Sequence, residues 1–345
     1  MSDNPLTKIS PNTGTCYNKE YVHMLDGIYI QFKDTFFFSY IIQFILVTLL
    51  YFNVGSGQYW KILFYGSIAG LMGALLENVT LAFICQESQR NNPGRVYTFL
   101  LAEVFWILTE YSIPYLNLIK MKALSKNKKA VFIKSTIYVL FIPFAIMRFL
   151  IGYTRMQRGY LNDRSIELYH GFAFGVMAIS EILCTSFILI TVHKYNHRVT
   201  INPSLFLHYI QHSSYTILIT VDICSIILSI LYILVNLVID NGVILTRNSV
   251  LPFHSFKSVY LLILAIDACL FKYGANVATA SAHGTTDIGS KNTGISESYK
   301  AGIFKSSIVN VTSNSMSNFS TNDQVTTPQS PEASQSVYNN YVQLC

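Results

Sequence analysis

Apolar and polar positions along this chain alternate in long blocks rather than one by one. Seven blocks meet or approach the roughly 20 residues a helix needs to cross a hydrocarbon core about 30 Å thick, at about 1.5 Å of rise per residue. They run Thr35 to Val54, Ile62 to Cys85, Val96 to Ile119, Val131 to Tyr153, Leu168 to Val192, Ser214 to Ile239 and Phe253 to Phe271. The last is the weakest, because its clean apolar run begins only at Val259. A chain in lipid must satisfy its backbone polar groups internally, so such runs read as helices; the lack of single-residue alternation argues against a β-barrel. The pattern therefore predicts an all-α polytopic membrane protein, a bundle of seven transmembrane helices. Six spans plus an interfacial helix is the rival count. Tyr51, Tyr59, Trp60, Tyr97, Tyr153, Tyr169 and Tyr273 fall at the expected ends, as an interfacial aromatic belt would. Gly66, Gly70 and Ala74 recur every four residues and form a face suited to close helix packing.

Composition agrees. Of 345 residues, 51% are hydrophobic and only 12% charged, with mean hydropathy +0.38, about half the charge of an ordinary soluble chain. A single water-soluble globule, a coiled coil and a disulfide-stapled secreted domain are excluded. The net charge of +6 sits in short connectors, where Lys and Arg meet lipid headgroups rather than nucleic acid. The chain divides into an amino-terminal arm (1–34), a transmembrane domain (35–274) and a tail (275–345). The arm lacks the build of a cleaved signal peptide, which leaves the first apolar block as an uncleaved anchor. The 71-residue tail holds 21 Ser or Thr and reads as disordered.

Positive charge orients the bundle weakly. Connectors on the side of the Lys120, Lys122, Lys126, Lys128 and Lys129 cluster carry eight Lys or Arg; the other side carries seven, Arg90, Arg95, Arg155, Arg158, Arg164, Arg247 and Lys257. The lysine cluster decides for an extracellular arm and a cytoplasmic tail. The sequons at Asn310 and Asn318 would then escape glycosylation. Cys16 and Cys85 would share the outer, oxidising side, either as a disulfide or as separate thiols. The plasma membrane is the expected location, an internal membrane the alternative.

Six of eighteen acids fall inside the spans: Glu77, Glu103, Glu110, Glu181, Asp222 and Asp267. Charge in lipid needs a partner or water, so such residues default to functional candidates. Glu103, Glu110 and Asn117 repeat every seven residues with Trp106 alongside, one helix face that must turn inward. By helix rise, Glu77, Glu103 and Arg148 lie roughly 12, 10 and 8 Å below the outer boundary, with His170 nearby. Arg148 is then expected to neutralise Glu77 or Glu103. Glu110, Glu181 and Asp267 fall roughly 20 Å down by the same rise; Asp222 and Lys272 lie lower and could pair. The stripe reads equally as a structural hydrogen-bonded network or as the lining of a ligand pocket or ion path.

Other chemistry is thin. His193 with His197, and His208 with His212, have a spacing that could chelate zinc, but spacing alone supplies no convergent geometry, so no metal or cofactor is predicted. There is no GxSxG, HExxH, P-loop or Gly-rich dinucleotide turn, and no enzyme is expected. Thr327-Pro and Ser330-Pro in the tail are candidate phosphorylation sites.

Seven helices, an outer amino terminus and a Ser/Thr-rich inner tail resemble the architecture of G-protein-coupled receptors over residues 35 to 345. The motifs of the largest receptor class are absent. The third block ends Asn117-Leu118-Ile119-Lys120 without an acidic-Arg-aromatic triplet, the sixth lacks Trp-x-Pro and the seventh lacks Asn-Pro-x-x-Tyr. Microbial rhodopsins are similar in helix count, but Lys272 follows Asp267 by five residues rather than four. No family is assigned on these residues. The leading expectation is a receptor-like protein taking a small ligand at Glu77, Glu103, Trp106, Glu110, Arg148, His170, Glu181 and Asp267, with a cytoplasmic signalling partner. A transporter or lipid translocator coupled to protons or cations is the alternative, and a lipid-modifying enzyme the third reading.

Overall fold

The computed structural model describes residues 6–55, 57–92, 94–124, 128–196, 205–238 and 247–284, and among them it is all-helical, with no strand. The helices are α1 (Met24–Asp34), α2 (Phe37–Val54), α3 (Gln58–Ile84), α4 (Tyr97–Leu124), α5 (Lys128–Arg158), α6 (Arg164–Asn196), α7 (Leu205–Val238), α8 (Leu251–Ser258) and α9 (Tyr260–Gly284). Six of them, α2 to α7, are long and apolar enough to cross a membrane. The expected seventh is a pair: α8 and α9 pass the same test only together, bent by 47° where they join. Residues 275–284, expected to open the disordered tail, instead continue α9, and the rest of the tail, with Asn310, Asn318, Thr327 and Ser330, lies outside the described residues, as does His197.

Burial ranks the helices. The most apolar stretch of α4 is 61% buried, whereas that of α5 is 17% buried and that of α2 22%. The central helix is therefore the one carrying the seven-residue acidic stripe, and the outer helices leave Phe and Ile side chains such as Phe38, Ile42, Phe132 and Ile142 exposed. α3 packs against α4 through the small-residue face. A Cβ on Gly66 would meet Ser112 Oγ at 2.9 Å, and one on Gly70 would meet Thr109 Oγ1 at 3.0 Å. Pro114 sits inside α4; the N–H it lacks is the one that would bond the Glu110 carbonyl.

The arm is more structured than a polar leader suggests. Cys16 and Cys85 form a disulfide between the arm and the end of α3. Around it, Tyr21 N–H donates to Cys85 O (3.2 Å) and Glu87 N–H to Tyr21 O (3.1 Å). Arg90 pairs with Glu20 at 2.7 Å, and Lys8 donates to Gln89 O. α1 then leans on α3 with Gly27 facing Ala82, and Gln31 donates to Tyr21 Oη at 3.1 Å, while Leu25 and Tyr29 stay exposed. The arm is thus a cap pinned over one end of the bundle.

Candidate functional site

The site begins with where α5 and α6 stop and start. α5 ends at Arg158, where Gly159 takes φ +69° and its N–H donates to Arg155 O at 2.9 Å; this left-handed turn is an ordinary helix terminator. Arg155 therefore lies in the last turn of α5, a favourable place for a cation. Asp163 starts α6 by accepting the Ile166 N–H at 2.8 Å, an N-cap bond, which fixes His170 two turns further on. Gly152 lets α5 close on α4, for a Cβ there would stand 2.8 Å from Glu103 Cγ.

These placements assemble a charge network across α3, α4, α5, α6 and α8. Arg148 donates from Nη1 to Glu103 Oε2 (3.0 Å) and from Nε to Glu110 Oε2 (2.9 Å), and its Nη2 pairs with Glu110 Oε1. Arg155 donates from Nη1 to Glu103 Oε1 at 2.9 Å and approaches Glu77 Oε2 at 3.6 Å. Trp106 Nε1 donates to that same Glu77 oxygen at 3.0 Å. Lys257 of α8 reaches Glu110 Oε1 at 2.7 Å. Three carboxylates thus face three cations, and Glu103, Glu110, Arg148, Arg155 and Lys257 are all buried. Burying ions this deeply is tolerable only with close pairing and added hydrogen bonds, and both are present.

An aromatic wall backs the network. Lys257 Nζ lies 3.4 Å from the Phe174 ring centroid and Arg148 Cζ 5.6 Å from it, a cation–π arrangement. His170 stacks on Tyr232 at 5.6 Å. Arg155 Nη2 donates to His170 Nε2 at 3.1 Å. A guanidinium has no acceptor, so this ring nitrogen must accept and the imidazole is neutral with its proton on Nδ1. That Nδ1 is buried and makes no hydrogen bond among the described residues. Beside Glu110 and Lys257, a cavity of about 20 Å³ lies against Tyr40, Gln43, Thr109, His254 and Leu261, room for about one water.

The eight residues expected to line one pocket separate into three places. Glu77, Glu103, Trp106, Glu110, Arg148 and His170 belong to the network. Asp267 does not: it pairs with Lys120 at 2.5 Å, between α9 and α4. Glu181 lies on α6 among α7 and α9 side chains, beside Ser225 and near Asp222. The expected Asp222–Lys272 pair is overturned, because Lys272 Nζ donates to Val54 O at 2.6 Å, closing the end of α2 instead. Arg148 neutralises Glu103 and Glu110; the cation beside Glu77 is Arg155.

Hydropathy places Arg155 and Lys257 in connectors, whereas the structure places both in the network. For Arg155 a signal existed. Arg148 and Arg155 are seven residues apart, the spacing of Glu103 and Glu110, so basic and acidic stripes of equal period face each other across α4 and α5. Lys257 and His254 carried no comparable signal, since the eight residues of α8 are too few to show a period. Among the described residues, no group of three or more His, Cys, Asp or Glu is arranged to hold a metal ion.

Fold and site together define an integral, multi-pass, all-helical membrane protein with a charge-balanced core near one end. Comparison with protein-family models, curated proteins and solved structures finds no match.

Proposed function

We propose that the protein is a receptor-like membrane protein in which the Arg148–Arg155 network is a closed latch, opened by a small ligand arriving from the arm side. One observation carries this reading: a continuous polar path runs from the arm to the centre of the bundle. Leu161 N–H donates to Thr15 Oγ1 of the arm at 2.9 Å, and Arg155 Nε donates to Leu161 O at 2.8 Å. Arg155 then holds Glu103, and Arg148 links Glu103 to Glu110. A ligand group that takes over one partner of Arg155 would release α5 from α4, and helix movement would reach the connector at Lys126, Lys128 and Lys129. With room for about one water, the latch admits an organic ligand only after such a movement.

Sidedness follows the same logic. A disulfide on the arm fits an oxidising outer face. With Arg155 and Lys257 inside the network and Lys120 paired to Asp267, the connector charges become seven against five, which strengthens the bias toward an inner tail.

The test is a photo-crosslinker at Lys128 in native membranes. The receptor reading expects a specific inner-side partner whose yield changes when Arg155→Gln opens the latch. The purified chain moving protons or cations across liposomes with no partner would overturn it in favour of a transporter. The feature favouring that second reading is the Glu181–Asp222 layer, whose acids have no basic partner among the described residues.

A further inference from the structure

We propose that Glu181 and Asp222 form a second site, separate from the latch, that binds one small hard cation of the sodium class. The two acids stand on neighbouring helices, α6 and α7. Glu181 is fully buried and Asp222 7% exposed, and no ion pair reaches either among the described residues. Both Glu181 carboxyl oxygens and Asp222 Oδ1 are buried without a hydrogen bond.

The second observation is independent of the acids. Ser225 and Thr185 are 0% and 3% exposed, and neither hydroxyl makes a hydrogen bond among the described residues. Ser225 stands beside Glu181 and Thr185 beside Asp222. The layer therefore presents five buried oxygens with nothing to hold. Two of them belong to hydroxyls that stand beside the acids without meeting hydrogen-bond geometry to them. Tyr260 of α9 closes the layer against Glu181 and Ser225, and Cys184 of α6 neighbours both acids. The nearest cation, Lys257, is committed to Glu110 at 2.7 Å.

The donor chemistry selects the ion. Carboxylates and hydroxyls are hard ligands, which favour alkali and alkaline-earth cations over zinc or copper. Calcium takes about six to eight oxygens and magnesium keeps most of its waters in a near-ideal octahedron. Five oxygens in a buried interhelical layer suit a monovalent ion better. One such ion leaves the layer with a net charge of −1, beside the neutral latch and within reach of Lys257. The site is independent of the ligand-triggered latch and stands or falls without it.

The experiment is a melting curve of the purified full-length chain in nanodiscs, with sodium chloride against choline chloride at equal ionic strength and fixed pH. Sodium should raise the midpoint saturably by about 3 to 5 °C, and potassium by less. Asp222→Asn and Ser225→Ala should abolish the sodium response while melting in choline as well as the native chain or better. Should a variant fail to fold, radioactive sodium binding to the native chain gives the same answer, with one ion per chain expected. No sodium response at any pH, or a response that survives both Asp222→Asn and Glu181→Gln, overturns the proposal. So does a midpoint that follows pH but not sodium, which would mean that protons occupy the two acids facing Glu110, Lys257, Cys184 and Tyr260.

Discussion

Glu103 and Glu181 are both fully buried glutamates facing the middle of one helical bundle. Glu103 is held by two guanidiniums, Arg148 at 3.0 Å and Arg155 at 2.9 Å. Glu181 has a hydroxyl and a second acid for company. The same residue type, equally buried, is thus built into opposite electrostatic settings. Burial alone does not assign a role to an acid in a membrane; what the neighbouring helices present to it does. In the outer layer α5 presents a basic stripe in register with the acidic stripe of α4. In the inner layer α7 presents another acid.

The largest effect should come from breaking the balanced side. Arg148→Gln leaves Glu103 short of one partner and Glu110 dependent on Lys257 alone. Uncompensated buried charge of this kind costs about 3–5 kcal/mol. A thermal melt in nanodiscs should show it. Adding Glu110→Gln removes the stranded charge and should recover part of that loss, with a coupling of about 1–3 kcal/mol. Additive single effects would mean that the two side chains do not act as a pair.

Next is the covalent tie over the outer layer. Cys16→Ser opens a loop spanning 69 residues in sequence, and a loss of about 2–4 kcal/mol is expected. The loss should be confined to the outer half. Hydrogen exchange should speed up in the arm and at the Leu161 turn, while the α6–α7 layer around Glu181 keeps its protection. Equal loosening of both layers would erase the distinction between them.

Helix approach is a third lever. Gly152→Ala places a Cβ 2.8 Å from Glu103 Cγ and 3.2 Å from Leu100 Cα. The backbone atom cannot rotate away, so α5 must shift outward, at about 1–3 kcal/mol for such overpacking. The movement should weaken Arg148 and Arg155 together, and a crosslinking yield at Lys128 that matches Arg155→Gln would tie the latch to helix separation.

The outer layer was largely legible in the chain and the inner one was not. Period and depth found the stripe of Glu103 and Glu110 on α4, and depth placed Glu77, Arg148 and His170 at its height. Depth is one coordinate, however, and neighbours are decided by rotation about the bundle axis. Glu110, Glu181 and Asp267 share a depth and still face three different environments. Helix ends were the second loss. A hydropathy window stops where polar residues begin, so it cut α5 at Tyr153 and left Arg155 outside, although the helix runs to Arg158. The disulfide was open between two readings, because sidedness permits a bond but does not bring two thiols together.

The smallest expected effect is the sharpest on the comparison. Glu181→Gln keeps the shape of the side chain and removes a carboxyl group to which no ion pair is made among the described residues. In sodium-free medium it should change stability by no more than about 1 kcal/mol, or raise it, because the substitution leaves no cation without its partner. Glu103→Gln, the same substitution in the outer layer, leaves Arg148 with Glu110 alone and Arg155 with the more distant Glu77, and should be clearly destabilising. Melting midpoints of the two variants, measured side by side in choline chloride, therefore separate an acid held by partners from one held in reserve. Equal losses at the two positions would show that Glu181 has a compensating charge after all, and the contrast between the layers would fall.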